Sequence, residues 1–122
     1  MTHHKLVAVA LLLAAACSSS GPYGSTPPPP PPSNPTPTTA VDVRDDSFSP
    51  ATAQVDAGAT VTWTWRGAND HNVTFETGGG SSTTKSSGTH QRTFSAAGTV
   101  RYRCTNHSSD FGNGMSGTVV VQ

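Results

Sequence analysis

The 122-residue chain carries seven basic and seven acidic residues, a balance that names no charged partner, and it has no basic run interleaved with aromatics, which excludes a nucleic-acid footprint. Hydrophobic residues make up 33% of the sequence and charged residues 11%. The first forty or so residues read as targeting and low-complexity sequence, and the remaining eighty, roughly, suffice for one globular core near the small end of what folds alone.

The opening MTHHKLVAVALLLAAAC joins a short n-region carrying Lys5 to an apolar stretch from Leu6 to Ala16. That stretch is too short to span a bilayer and has the layout of an export signal, so residues 1–16 are expected to be removed. Cys17 follows Ala14, Ala15 and Ala16 and precedes the polar run Ser18 to Ser20. This resembles the lipobox of bacterial lipoproteins, with Leu13 one position earlier than is usual there. The resemblance implies that Cys17 carries lipid and anchors an exported protein to a membrane of the cell envelope. An ordinary signal peptide cut near Ala16, leaving a soluble protein, is the other reading. Acylation of Cys17 would leave Cys104 as a single thiol in an oxidising compartment, where an unpaired cysteine calls for a reason. A Cys17–Cys104 disulfide is the alternative, and it leaves the histidines near Cys104 unexplained.

From Ser18 to about Ala40 the chain is Ser, Gly, Thr, Asn and Pro, with unbroken proline from Pro27 to Pro32 and further prolines at Pro35 and Pro37. Such a segment buries too little apolar surface to fold. Extended polyproline II at about 3.1 Å per residue would let it hold a domain up to roughly 70 Å from an anchor. Residues 17–40 are therefore expected to form a disordered tether ahead of a domain over 41–122. A ligand for an SH3-type module competes as a reading of the proline run, but does not suit an exported chain.

The domain opens with Val41 and Val43 alternating with charged neighbours, and Phe48 precedes a Ser-Pro break. Val55 leads into a turn at Asp56 to Gly58. TVTWTW places Val61, Trp63 and Trp65 on one face and Thr62 and Thr64 on the other, the period of a half-buried strand. HNVTFE gives a strand with Val73 and Phe75 inward, and Gly78 to Gly88 reads as a loop or weak edge. QRTFSAAGTVRYRC supplies Phe94, a turn at Ala96 to Gly98, and a strand with Val100 and Tyr102 facing one way and Arg101 and Arg103 the other. Cys104 ends that strand on the inward face. GTVVVQ closes with Val119 and Val121 inward. Six to eight short strands with turn punctuation predict an all-β sandwich or barrel.

His71 stands in a loop just before a strand, Cys104 at the end of another, His107 three residues on, and Met115 in a loop flanked by Gly114. Two imidazoles, a thiolate and a thioether form the ligand set of a blue-copper site, trigonal in His₂Cys with a weak axial Met. Softness selects the metal, because zinc prefers closed tetrahedral sets of Cys, His and carboxylate. His90, in a polar run beside Gln91 and Arg92, reads as a surface histidine. Glu76 and Asp110 have no paired carboxylate at useful spacing, so acid–base catalysis finds no support.

In HNVTF, AGTVRYRCTNH and GMSGTVVV the chain resembles the plastocyanin-like cupredoxins, from about Val41 to its end. The resemblance implies a Greek-key β-sandwich with type 1 copper at one end, held by the positions of His71, Cys104, His107 and Met115. It also implies that Asn72 ties the two ligand loops together by hydrogen bonding near Thr105. The seven residues between His107 and Met115 make this loop longer than is usual in that family, with Gly112 and Gly114 allowing it to fold back. A carrier of single electrons between redox partners of the envelope follows, as a monomer that is not an enzyme. With only His71, His90 and His107 beyond the leader and no His-x-His pair, a second copper centre has no ligands. Copper delivery or storage is the alternative that these residues leave open, and a metal-free adhesive sandwich is the third.

Overall fold

A computed structural model describes residues 34–122. The leader, Cys17 and most of the expected tether lie outside the described residues. The described chain is all-β, with nine strands: β1 Thr36–Pro37, β2 Ala40–Arg44, β3 Ser47–Ser49, β4 Thr52–Val55, β5 Ala59–Trp65, β6 Thr74–Phe75, β7 Thr89–Phe94, β8 Gly98–Arg103 and β9 Ser116–Val121.

β-Branched and aromatic residues at every second position favour the longer strands such as β2, β5 and β9. In β5, Val61, Trp63 and Trp65 are buried while Thr62 and Thr64 are half-buried, as the alternation predicts. β9 buries Val119 and Val121 in the same manner. The strands form two mixed sheets, one in the order β1-β4-β9-β8-β6 and the other β3-β2-β5-β7. Neighbours that are distant in sequence, β4 with β9 and β2 with β5, pair in parallel, whereas β5 with β7 and β8 with β9 pair antiparallel. This is the Greek-key sandwich expected from the sequence.

Two details differ from the sequence reading. The first strand, β1, falls within the stretch read as tether: Thr36 and Pro37 pair in parallel with Ala53 and Gln54, so the sheet begins upstream of Val41. Pro37 is tolerated because β1 is an edge strand, where a missing N–H costs no ladder bond. The HNVTFE segment yields only the two residues of β6 as strand, although Val73 and Phe75 are both buried.

Aromatic rings fill the space between the sheets. Trp63 meets Phe75 and Tyr102 edge-on at 5.3 Å each, and Phe48 meets Tyr102 at 4.8 Å. Such pairs contribute about 0.5–1.5 kcal/mol each beyond the area they bury. Gly117 lies directly across from Tyr102 in the β8–β9 ladder, and a Cβ there would strike the phenol ring. The ring is fully buried, so it has nowhere to retreat. Gly117→Ala is accordingly expected to destabilise the fold by about 1–3 kcal/mol, read as a lower midpoint in thermal or urea unfolding; an unchanged midpoint would show that the ring has slack.

Candidate metal centre

The strands that supply the candidate ligands all end at one pole of the sandwich. β5 ends at Trp65, and the chain loops through Arg66 to Asp70 before His71, whose backbone forms an isolated bridge with Lys85 (N–H to O 2.9 and 3.0 Å). The indole of Trp65 turns back and donates from Nε1 to the His71 carbonyl at 3.1 Å. His71 is held at both backbone groups, and its side chain is 0% exposed.

β8 ends at Arg103, and the ladder with β9 runs one step further, because the Cys104 N–H donates to the Met115 carbonyl at 2.9 Å. A tight turn follows, with the His107 N–H on the Cys104 carbonyl at 3.3 Å and the Met115 N–H on the His107 carbonyl at 3.2 Å. Cys104 and Met115 are both buried, whereas the His107 side chain retains 34% exposure.

These backbone restraints bring three side chains to one point. His71 Nδ1 lies 3.1 Å from His107 Nδ1, and Cys104 Sγ lies 3.8 and 3.5 Å from those two nitrogens. Among the described residues this is the one group of three or more His, Cys, Asp or Glu side chains placed to hold a metal ion. The outer nitrogens turn away from it: His71 Nε2 lies 3.1 Å from Asp45 Oδ1, and His107 Nε2 lies 3.7 Å from Asp46 Oδ1. A carboxylate only accepts, so the tautomer with its proton on Nε2 can donate to Asp45 and leave a bare Nδ1 lone pair facing inward. Lone pairs of nitrogen and sulfur converging in a buried pocket suit a soft or borderline cation, and two imidazoles with a thiolate are the donor set that copper prefers.

Asn72 joins the two loops. Its Oδ1 accepts from the Thr105 N–H at 3.1 Å and the Thr74 hydroxyl at 2.9 Å, and its Nδ2 donates to Thr105 Oγ1 at 2.8 Å and Thr84 Oγ1 at 3.1 Å. The long loop after His107 is built rather than loose. Ser108 Oγ lies 2.6 Å from the Asp110 carbonyl and 2.5 Å from that of Asn113, and Arg103 Nη1 donates to the Ser108 carbonyl at 2.6 Å. Phe111 covers the Arg103 guanidinium, 5.1 Å from its ring centre. Gly114 is required, because its φ is +61° and a Cβ would collide with the His107 carbonyl.

His90 sits outside this group, with Nε2 against the Gly80 carbonyl at 2.6 Å. Glu76 pairs with Arg101, and Asp110 accepts from the Phe111 N–H. The sequence reading missed Asp45, which stands 26 residues before His71. Nothing in its neighbourhood marks it, since an aspartate in a turn is commonplace. The backbone N–H groups of Ala68 and Asn69, and then the His71 ring, pull the Asp45 carboxyl down to about 2.

Removing Asn72 would strand the Thr105 N–H and the hydroxyls it satisfies while unlinking the loops. Asn72→Ala is expected to cost about 1–3 kcal/mol in the metal-free protein, measured by urea unfolding. A loss below a few tenths of a kcal/mol would mean that the loops are held by other bonds.

The sequence model of the copper-binding proteins of the plastocyanin/azurin family matches residues 37–122. Halocyanin of Natronomonas pharaonis is 38% identical over 82 residues, covering 62% of this chain and 48% of halocyanin, so the chain spans about half the length of that relative. Similar solved structures include an oxidized amicyanin mutant (TM-score 0.59, 31% identity) and a reduced one (0.58, 31%). A third is the reduced Cu(I) form of another amicyanin mutant at pH 4 (0.58, 33%), and each of the three matches covers 68% of this chain and 80% of the amicyanin chain. With a cupredoxin fold and a His–Cys–His donor group suited to one copper, the chain belongs to the plastocyanin/azurin family of copper-binding proteins.

Proposed function

We propose that this protein carries single electrons between redox partner proteins of the cell envelope, and that His71, Cys104, His107 and Met115 would hold its copper. The observation that supports this reading most is the graded exposure of the converging side chains: His71 and Cys104 are fully buried, Met115 is buried, and His107 alone reaches the surface. Copper bound there supplies a one-electron couple between Cu(II) and Cu(I).

The chain's own residues set the conditions for that couple. Backbone bonds at His71, Cys104, His107 and Met115 fix the main chain of these residues before loading, and the donor atoms of His71, Cys104 and His107 already converge, so little needs to move when the oxidation state changes. Buried neighbours exclude water from the inner side. The exposed edge of His107 is the place where a partner can approach closely enough for the electron to cross. Burial of Cys104 and Met115 also favours the carrier over delivery, because handing a metal to another protein requires ligand atoms that the acceptor can reach. Asp45 and Asp46 face the outer nitrogens of the two histidines, where they accompany candidate ligands, and the protein is proposed to act without catalysing a bond-making reaction.

The membrane assignment rests on the sequence. Residues 1–16 are proposed as a lipoprotein signal, Cys17 as the lipid attachment site, the chain from Cys17 up to β1 as a tether, and residues 36–122 as a monomeric cupredoxin domain held near the membrane.

Purified protein mixed with Cu(II) is expected to absorb intensely near the red end of the visible spectrum and to give an EPR signal with narrow copper hyperfine splitting. Cys104→Ala should abolish both; a colourless wild type with ordinary Cu(II) signals would sink the carrier reading. The loaded protein should also melt above the metal-free form, since a ligand at a hundred times its dissociation constant adds about 2.7 kcal/mol. Equal melting temperatures would mean that these side chains do not bind the metal in the folded state.

A further inference from the structure

The turn between β2 and β3 carries two consecutive aspartates, and each addresses the outer nitrogen of a different histidine of the centre. Asp45 Oδ1 stands 3.1 Å from His71 Nε2, and Asp46 Oδ1 stands 3.7 Å from His107 Nε2. Only the first is within hydrogen-bond distance. The two carboxylates also differ in setting, with side-chain exposures of 40% for Asp45 and 72% for Asp46.

Asp45 is fixed in place by two backbone groups as well. The Ala68 N–H lies 3.1 Å from both carboxylate oxygens, and the Asn69 N–H donates to Oδ1 at 2.9 Å. Gly67 makes room for it, since a Cβ at that position would run into the carboxylate. One side chain therefore joins the β2–β3 turn, the loop that leads to His71 and the buried imidazole itself. Its acceptor oxygen complements a proton on Nε2 of His71, and a hydrogen-bonded carboxylate makes the opposite nitrogen a stronger electron donor.

We propose that Asp45 is a positioning residue of the metal centre: it holds His71 in the Nε2–H tautomer before any metal arrives, and its fixed negative charge favours Cu(II) over Cu(I) at His71 Nδ1. The second half rests on the copper-carrier reading above, while the first half concerns the metal-free protein alone. Asp46, farther away and more exposed, exerts the weaker influence through His107, because solvent screens it.

The test uses the full chain with Asp45→Asn, Asp45→Ala and Asp46→Asn. Asparagine keeps a carbonyl that can accept from His71, Ala68 and Asn69 while removing the charge, so that variant preserves the loop. Long-range ¹H–¹⁵N spectra of the metal-free protein report the His71 tautomer. The wild type and Asp45→Asn are expected to show the single Nε2–H form, and Asp45→Ala a mixture. In the copper-loaded protein, Asp45→Asn should lower the preference for Cu(II) and so raise the potential, by about 59 mV for each tenfold change in that preference. Asp46→Asn, the same charge change in the same turn, should raise the potential by less.

A single Nε2–H tautomer in Asp45→Ala would overturn the positioning role. Equal potential shifts for Asp45→Asn and Asp46→Asn, or none for either, would reduce Asp45 to one surface charge among others. The tautomer spectra need no copper, so a wild type that fails to turn blue would defeat the carrier reading and leave the positioning result standing on its own.

Discussion

The antiparallel pairing of β8 with β9 continues past the ends of both strands, and the hydrogen bond from the Cys104 N–H to the Met115 carbonyl is the step on which the centre depends. That bond sets the distance between the two ends of the loop from Cys104 to Met115. Within the loop, the His107 N–H closes back on Cys104 and the Met115 N–H closes on His107. Three of the four candidate ligands are thereby tied to one another through the backbone. The side chains inherit a geometry that the sheet has already determined, and the extra length of the loop is taken up beyond this closure by Ser108, Phe111 and the Gly114 turn.

His71 reaches the same point from the other direction, and its restraints are of a different kind. No ladder joins it to Cys104. Its position rests on the bridge to Lys85, the Trp65 indole on its carbonyl and the Asn72 side chain that grips Thr105. Asn72 uses both its acceptor and its donor ends, so the bond is directional and resists sliding of one loop past the other. The hydrophobic core supports this arrangement from below. Trp63, Phe75, Phe94 and Tyr102 interlock between the sheets and keep the strand ends at a constant separation.

The surroundings of the two histidines are unequal, and the inequality gives the site a direction. His71 is enclosed and its outer nitrogen is satisfied by a pinned carboxylate, whereas His107 keeps an edge in solvent and faces Asp46 only at longer range. One imidazole serves as the fixed inner post of the donor set and the other as its contact with the outside. An acidic side chain accompanies each, Asp45 beside His71 and Asp46 beside His107.

The alternation in TVTWTW and GTVVVQ was enough to assign inward faces, because a period of two leaves no freedom once one face is apolar. The types of the candidate ligands and their order along the chain were likewise legible, since Cys104, His107 and Met115 lie on one loop and their chemistry is local. The ladder pairing of Thr36 and Pro37 was not legible, because a proline-rich segment joins a sheet only if an edge strand is there to receive it, and that edge is assembled from β4 and β9. Asp45 was equally hidden. Its role depends on the meeting of a turn, a loop and a buried ring that lie 26 residues apart at the extremes, and such long-range contacts leave no periodic trace in a single sequence. The sequence by itself determined the all-β class, the faces of the strands and the donor chemistry, because these follow from residue type and local spacing. Tertiary structure alone decided which nitrogen of His71 points inward, which histidine reaches solvent and which carboxylate stands behind the site, because each is set by groups that only the packed sheets bring together.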